Sequence, residues 1–383
     1  MNPHDPAHAA NVSVNEYVEL LQRLIATQSY SREEHNTADI LAGFLAERGV
    51  EVERYGNNVV ARHRTTMASA PYLLVNSHHD TVRVGGGWTK DPFGGVVEDG
   101  KLYGLGSNDA GGPLMAMLAT FMHLCTHEGL SHNIMFAATA EEEISGNDGM
   151  ALLAREGVIT AVASNENTAS HKNSALVALA LVGEPTQMHM AVAERGLIVL
   201  DCVAHGRTGH AARSEGLNAI YEAMRDVEWL RTYRFERSSA LLGEIQMTVT
   251  QIEAGSQHNV VPDVCRFVVD VRVSDAYTNE EIVEEIRKHV QCTVSPRSMR
   301  LRPSSTPHDH PIVNNAIKMN LPLYGSPTMS DQSLLPSGIT SVKIGPGDSA
   351  RSHTPDEYIG IEELQQGIHT TIELCERYLG VRT

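Results

Sequence analysis

Cysteine, basic side chains and long apolar runs are all scarce in this 383-residue chain, and each scarcity removes a class of explanation. The five cysteines, Cys125, Cys202, Cys265, Cys292 and Cys375, are odd in number, widely scattered and never paired as Cys-x-x-Cys. That pattern argues against a disulfide framework and a thiolate zinc site, and it suits a reducing cytosol. Only 30 Lys and Arg stand against 47 Asp and Glu, a formal charge of −17. A phosphate polyanion would be repelled over most of such a surface, so neither nucleic acid nor an anionic membrane is expected as a partner. No stretch approaches the ~20 apolar residues needed to span a bilayer. The opening Met-Asn-Pro-His-Asp-Pro lacks the basic start and apolar run of a signal peptide, and a cytoplasmic location is the expectation. Gly-x-Ser-x-Gly is absent too, which disfavours a serine hydrolase.

What is present is an ordinary folding composition, 42% hydrophobic and 20% charged residues, with 19 histidines. At ~150 residues per domain, the length predicts two or three domains. Residues 1–12 read as a flexible leader. Two Ser-x-x-Glu capping boxes, Ser13 to Glu16 and Ser31 to Glu34, open helices, the second of which stops at Gly49. A hairpin follows over residues 50–61, turning at Gly56-Asn57-Asn58. Apolar runs at 72–75, 134–138, 175–182 and 339–344 read as buried strands, alternating with a helix that starts at Pro113 and a last helix over 361–379. The polar stretch 164–174 reads as a surface loop. This alternation predicts an α/β sheet covered by helices on both faces. Between 188 and 302 the order changes to strand 197–204, helix 218–231, strands 244–252 and 265–273, and helix 279–290. A last strand near 298–302 would complete a ferredoxin-like α+β unit. The expected organisation is a discontinuous catalytic domain, 1–187 and 303–383, with a second domain inserted at 188–302.

Acidic residues and histidines collect after the predicted apolar strands. His78 and Asp80 follow the first, close enough for the carboxylate to orient the imidazole. Glu141-Glu142-Glu143 follows the second, Glu184 the third, and His353 comes after the fourth across a glycine-rich loop. Asp109 lies in a glycine-rich turn that feeds the Pro113 helix. This turn carries Gly104-Leu105-Gly106 but no third glycine, and a polar hairpin precedes it, so it is not a dinucleotide fingerprint. Alone, each group has an ordinary reading: a surface His–Asp hydrogen bond, a solvated acidic patch. Together they sit where open α/β sheets bind ligands, beyond the carboxyl ends of the strands. Desolvated like charges there need a cation. Two histidines and three carboxylates suit zinc or a similar first-row metal, in the number required by a two-metal site with a bridging aspartate.

The motifs Ser-His-His-Asp-Thr-Val (77–82), Gly-Ser-Asn-Asp (106–109), Thr-Ala-Glu-Glu-Glu (139–143), Gly-Glu-Pro-Thr (183–186), Gly-His-Ala-Ala (209–212), Asn-Val-Val-Pro-Asp (259–263), Ser-Asp-Gln (330–332) and Ser-His-Thr-Pro-Asp-Glu (352–357) span the chain. In order and spacing they resemble the acetylornithine deacetylase and succinyl-diaminopimelate desuccinylase family of dizinc amidohydrolases and peptidases. The resemblance is strongest to the acetylornithine deacetylase-like enzymes of arginine biosynthesis, including a branch that removes acetyl or succinyl groups from citrulline or ornithine. It implies a zinc-peptidase-like catalytic domain and a lid and dimerisation domain, hence a homodimer.

The same resemblance implies two zinc ions, with cobalt able to replace them. His78 and Glu184 would bind one, Glu143 and His353 the other, and Asp109 both; Asp80 would orient His78. Glu142 would be the general base acting on a hydroxide between the metals, and His210 of the other subunit would reach the oxyanion. Without the resemblance, His210 reads as a solvent-facing loop histidine. Glu141 stands where the family usually has Asp, and Met329 where relatives such as the desuccinylase have Thr. Arg195, Asn259 and Arg272 are candidates for a substrate carboxylate, although an arginine at a strand end is as often a structural ion pair. The implied reaction is hydrolysis of an N-acyl-L-amino acid, N-acetyl- or N-succinyl-ornithine or -citrulline. The alternative is a dipeptidase or a succinyl-diaminopimelate desuccinylase.

Overall fold

A computed structural model describes residues 13–65, 69–162 and 174–381. The expected leader, and the predicted surface loop apart from Ser174, lie outside the described residues. The chain divides into two compact units, one of residues 1–192, 306–324 and 330–383, the other of residues 193–305 and 325–329.

The larger unit is organised by a mixed sheet. Its strands run in the order Val52–Tyr55, Asn58–His63, Asn133–Thr139, Tyr72–His78, Ala175–Val182 and Thr340–Lys343, followed by the start of Met190–Glu194. The four from Asn133–Thr139 to Thr340–Lys343 are mutually parallel, and the two hairpin strands join antiparallel at one side. Every residue of Tyr72–His78 and of Asn133–Thr139 is buried. Alternate side chains supply two cores. Leu73, Val75, Ile134 and Phe136 pack with the helices Val14–Ile25, His35–Ala46, Gly112–Leu124 and Ile361–Leu379. Leu74, Met135 and Ala137 pack with the short helix Met150–Arg155 on the other face. A strand that is apolar on both sides needs both faces covered, which is why these runs carry no polar alternation.

The second capping box of the sequence reading does not form. The helix begins at His35, after Glu34. Ser31 Oγ donates instead to the Asp80 carboxylate, 2.7 Å away. Glu34 Oε1 accepts from the amides of Arg32 and Glu141. Ser31 is drawn to a partner distant in sequence, and the Glu34 carboxylate is taken by the neighbouring Arg32 amide and by the distant Asn57 and Glu141, so the helix start loses both side chains. Ser13 does precede the first helix, but its side chain makes no capping hydrogen bond.

The smaller unit carries an antiparallel sheet in the order Gln246–Ala254, Val264–Val273, Gly196–His205 and Thr293–Pro296. The helices Ala219–Thr232 and Asn279–His289 contribute Ala219, Ala223, Ile282, Val283 and Ile286 to its core. This is the ferredoxin-like arrangement. Its last strand lies at Thr293–Pro296 rather than 298–302: buried Val294 continues the core, opposite Cys202 of Gly196–His205.

Candidate metal centre

The carboxyl ends of the parallel strands deliver the site. Tyr72–His78 ends on His78, Asn133–Thr139 leads into the single turn Glu142–Ile144, and Ala175–Val182 is followed by Glu184. Asp109 is held by the loop that precedes Gly112–Leu124. Gly106 starts that loop at φ 77°, and a Cβ there would lie 2.6 Å from Thr81 Cγ2, so the turn admits glycine alone. Glu357 fastens the same loop: its buried carboxyl accepts from the amides of Gly106 (3.2 Å), Asn108 (2.8 Å) and Asp109 (2.9 Å).

Asp109 faces both histidines. Its Oδ1 lies 3.2 Å from His78 Nε2 and its Oδ2 3.6 Å from His353 Nε2. His78 Nε2 is also 3.9 Å from Glu142 Oε2 and 3.9 Å from Glu184 Oε1. His353 Nε2 lies 2.9 Å from Glu143 Oε2. Two trios, His78–Asp109–Glu143 and His78–Glu142–Glu184, each bring one ligand atom per residue within 4.8 Å of the others. Glu142 thus lies within reach of a cation as well as of the centre of the cluster.

Asp80 sits behind this layer. Its carboxylate is 3.4 Å from His78 Nδ1 and accepts from the amides of Glu142 (3.0 Å) and Glu143 (3.2 Å) and from the Ser31 hydroxyl. Asp80 therefore orients the imidazole, through the 3.1 Å hydrogen bond between His78 Nδ1 and the Asp80 main-chain carbonyl with the carboxylate alongside, and its carboxylate pins the turn carrying two of the acids. Glu141 turns away, its Oε2 accepting from the amides of Asn147 (3.0 Å) and Asp148 (3.3 Å).

The electrostatics follow from crowding five carboxyls, Asp80, Asp109, Glu142, Glu143 and Glu184, around two imidazoles. Burial, with the neighbouring carboxylates, pushes Glu142 well above the ordinary carboxylate range, and burial also raises Glu143. Burial alone would lower His78, but Asp109 and Asp80 outweigh it and hold the imidazole well above its usual value. The hydrogen bond with Glu143 raises His353 to about 9. Imidazole and carboxylate ligands in this number, in a site that favours positive charge, fit divalent first-row cations.

The other predicted residues belong to the smaller unit. His210 lies exposed on a two-residue strand paired with Val260–Val261, and its Nδ1 accepts from the Ala212 amide. Asn259 is exposed and offers its carbonyl to the Ala211 amide. Arg195 is buried, with its guanidinium donating to the carbonyls of Glu244, Arg272 and Leu242. Arg272 is paired bidentately with Asp270. Both arginines therefore have internal partners, the structural use that the sequence left open.

Sequence reasoning missed Ser31, Glu34, Asp331 and Glu357. Asp331 is buried, accepts from the Thr139 hydroxyl and is raised by burial to about 6. Asp331 and Glu357 lie inside motifs already noted, which was signal enough to ask what they hold. Ser31 and Glu34 carried only a helix-capping signal.

A family model described as peptidase family M20/M25/M40 matches residues 74–377. Succinyl-diaminopimelate desuccinylase of Methylorubrum populi is 30% identical over 313 residues, covering 75% of this chain and 76% of that protein. Acetylornithine deacetylase of Proteus mirabilis is 25% identical over 404 residues, covering 96% and 98%. Among solved structures, aminopeptidase PepT of Bacillus cereus matches with a TM-score of 0.72 at 20% identity, over 95% of this chain and 97% of that one. A dinuclear metal-binding M20 peptidase of Bacillus subtilis matches with a TM-score of 0.71 at 15% identity, over 96% and 99%.

Proposed function

The chain belongs to peptidase family M20/M25/M40, a metal-dependent hydrolase, and from that premise we propose that it is a two-metal deacylase of N-acyl-L-amino acids. The favoured substrates are N-acetyl- or N-succinyl-ornithine or -citrulline, which would place it in arginine biosynthesis. The observation that carries the two-metal reading is Asp109, one oxygen toward His78 and the other toward His353. The near full-length similarity to an acetylornithine deacetylase supports the substrate class. A desuccinylase is the second reading, favoured by the higher identity to that enzyme over three quarters of the chain.

In this reading His78 and Glu184 hold one zinc ion, Glu143 and His353 the other, and Asp109 both; cobalt could take their place. Two such cations supply polarisation of the amide carbonyl and acidification of water. Glu142 takes a proton from the attacking water and passes it to the departing nitrogen, as the water oxygen bonds to the carbonyl carbon and the C–N bond breaks. Its burial among carboxylates, which raises it above the ordinary carboxylate range, suits that shuttle. Asp80 keeps His78 in register and holds the Glu142 and Glu143 amides. His210, from the smaller unit of a second subunit, donates to the tetrahedral oxyanion. The smaller unit then serves as lid and dimer contact of a cytoplasmic homodimer, and Asn259 and Arg272 remain candidates for the substrate α-carboxylate.

Glu142→Gln should lower kcat by about 10²–10⁴-fold while zinc content stays unchanged. Full turnover in that variant would remove Glu142 from the role of base. A panel of N-acetyl and N-succinyl amino acids and dipeptides separates the substrate readings, and turnover of dipeptides alone would overturn the deacylase assignment.

A further inference from the structure

We propose a second metal site, outside the catalytic cluster, formed by His123, His127 and Glu376 and selective for a divalent cation of the zinc class. His123 lies in the last turn of Gly112–Leu124 and His127 just beyond it, four residues on; Glu376 projects from Ile361–Leu379. Both helices belong to the larger unit. His123 Nε2 is 2.7 Å and His127 Nε2 3.8 Å from the same carboxylate oxygen, Glu376 Oε1. The three ligand atoms all lie within 4.8 Å of one another.

Tetrahedral zinc with bonds of ~2.0–2.2 Å sets its ligand atoms about 3.3 Å apart. The observed 2.7 and 3.8 Å fall on either side of that spacing, the shorter being a direct hydrogen bond between His123 and Glu376 that a bound cation would replace. The tautomer of His127 is favourable as well. Its Nδ1 lies 3.1 Å from the His123 carbonyl, an arrangement in which Nδ1–H donates and leaves the Nε2 lone pair toward the carboxylate. Metal-binding histidines are oriented by such a hydrogen bond from the other ring nitrogen. The His123 side chain is almost fully buried, whereas those of His127 and Glu376 are 27% and 16% exposed. A cation can thus enter from solvent and keep a water as fourth ligand. Two imidazoles and one carboxylate suit zinc, nickel or copper rather than calcium or magnesium.

The test is calorimetric titration of the chelator-stripped full-length protein with zinc chloride. Wild type should take up one more equivalent than His127→Ala or Glu376→Gln, with the turnover of both variants unchanged. Asp109→Ala, altered only in the catalytic cluster, should keep the additional equivalent. Loss of a direct ligand should weaken this site by more than the ~100-fold that can follow loss of an outer hydrogen-bonding partner. Copper provides an independent reading: the difference between the electron paramagnetic resonance spectra of copper-loaded wild type and His127→Ala should contain a centre coupled to two nitrogens. Equal zinc uptake by wild type, His127→Ala and Glu376→Gln, with folding verified by circular dichroism, would overturn the proposal.

Discussion

Replacing Asp80 by asparagine keeps the shape of the side chain and removes its ability to receive hydrogen bonds on both arms. In the wild type one oxygen accepts from the Glu142 amide and lies 3.4 Å from His78 Nδ1, and the other accepts from the Glu143 amide and the Ser31 hydroxyl. An asparagine oxygen can take the first pair, but its NH₂ then faces the Glu143 amide, donor against donor. One charge-assisted hydrogen bond is lost, about 1.5–3 kcal/mol, and the orphaned buried N–H adds about 1–3 kcal/mol. Ser31 can rotate to accept and recovers part of this, so the expected cost is about 3 kcal/mol. Ser31→Ala is the control: it removes one hydrogen bond and no backbone partner, for about 1.5 kcal/mol. Urea denaturation of the chelator-treated proteins at pH 7 measures both. Because the Asp80 charge also faces His78 and its carboxylate holds the Glu142 and Glu143 amides, Asp80→Asn should weaken zinc binding at the catalytic cluster about 10–100-fold, whereas Ser31→Ala should leave it within a few fold. A stability change below about 0.5 kcal/mol for Asp80→Asn, or equal zinc affinity in the two variants, would refute this account of the residue.

Gly106→Ala should destabilise the larger unit by about 1–3 kcal/mol, since it forces a side chain into the left-handed region and against Thr81; a thermal melt indistinguishable from wild type would contradict the strained-turn reading. Burial lowers the His79 pKa to about 4 from an unfolded 6.5, so the folded state resists a proton that the unfolded chain accepts. That contributes about 3 kcal/mol, fully present above pH 6.5 and lost as pH falls toward 4. The loss should be missing from the urea stability of His79→Gln over the same range. Finally, inactive His210→Ala mixed with inactive Glu142→Gln should regain turnover in verified mixed dimers, through the one site that combines an intact His210 with an intact Glu142. No recovery would count against His210 acting across the interface.

The strands and their helices were legible because burial on both faces leaves an uninterrupted apolar run, as in Tyr72–His78 and Asn133–Thr139. The exact helix at Ile361–Leu379 and the near agreement at Gly112–Leu124 have the same local origin. Ser31 and Glu34 were misread because a capping box is a local pattern, and here each side chain also serves a distant partner. Ser31 reaches Asp80 across 49 positions, and Glu34 reaches the Glu141 amide across 107. The last strand of the smaller unit was misplaced because Thr293–Pro296 presents a single buried valine as its signal.

By itself the sequence determined which chemistry the protein carries: imidazoles and carboxylates at the ends of buried strands, a type and order of ligand that local spacing already restricts. Which carboxylate meets which histidine was decided by the tertiary structure alone. His353 and Glu143 are 210 positions apart, and the parallel order of the strands brings their loops to the same edge. The pairing of His123 and His127 with Glu376, 253 and 249 positions away, had no sequence signal at all. It depends on how two helices lie together, and that is set by the apolar side chains between them rather than by the ligands.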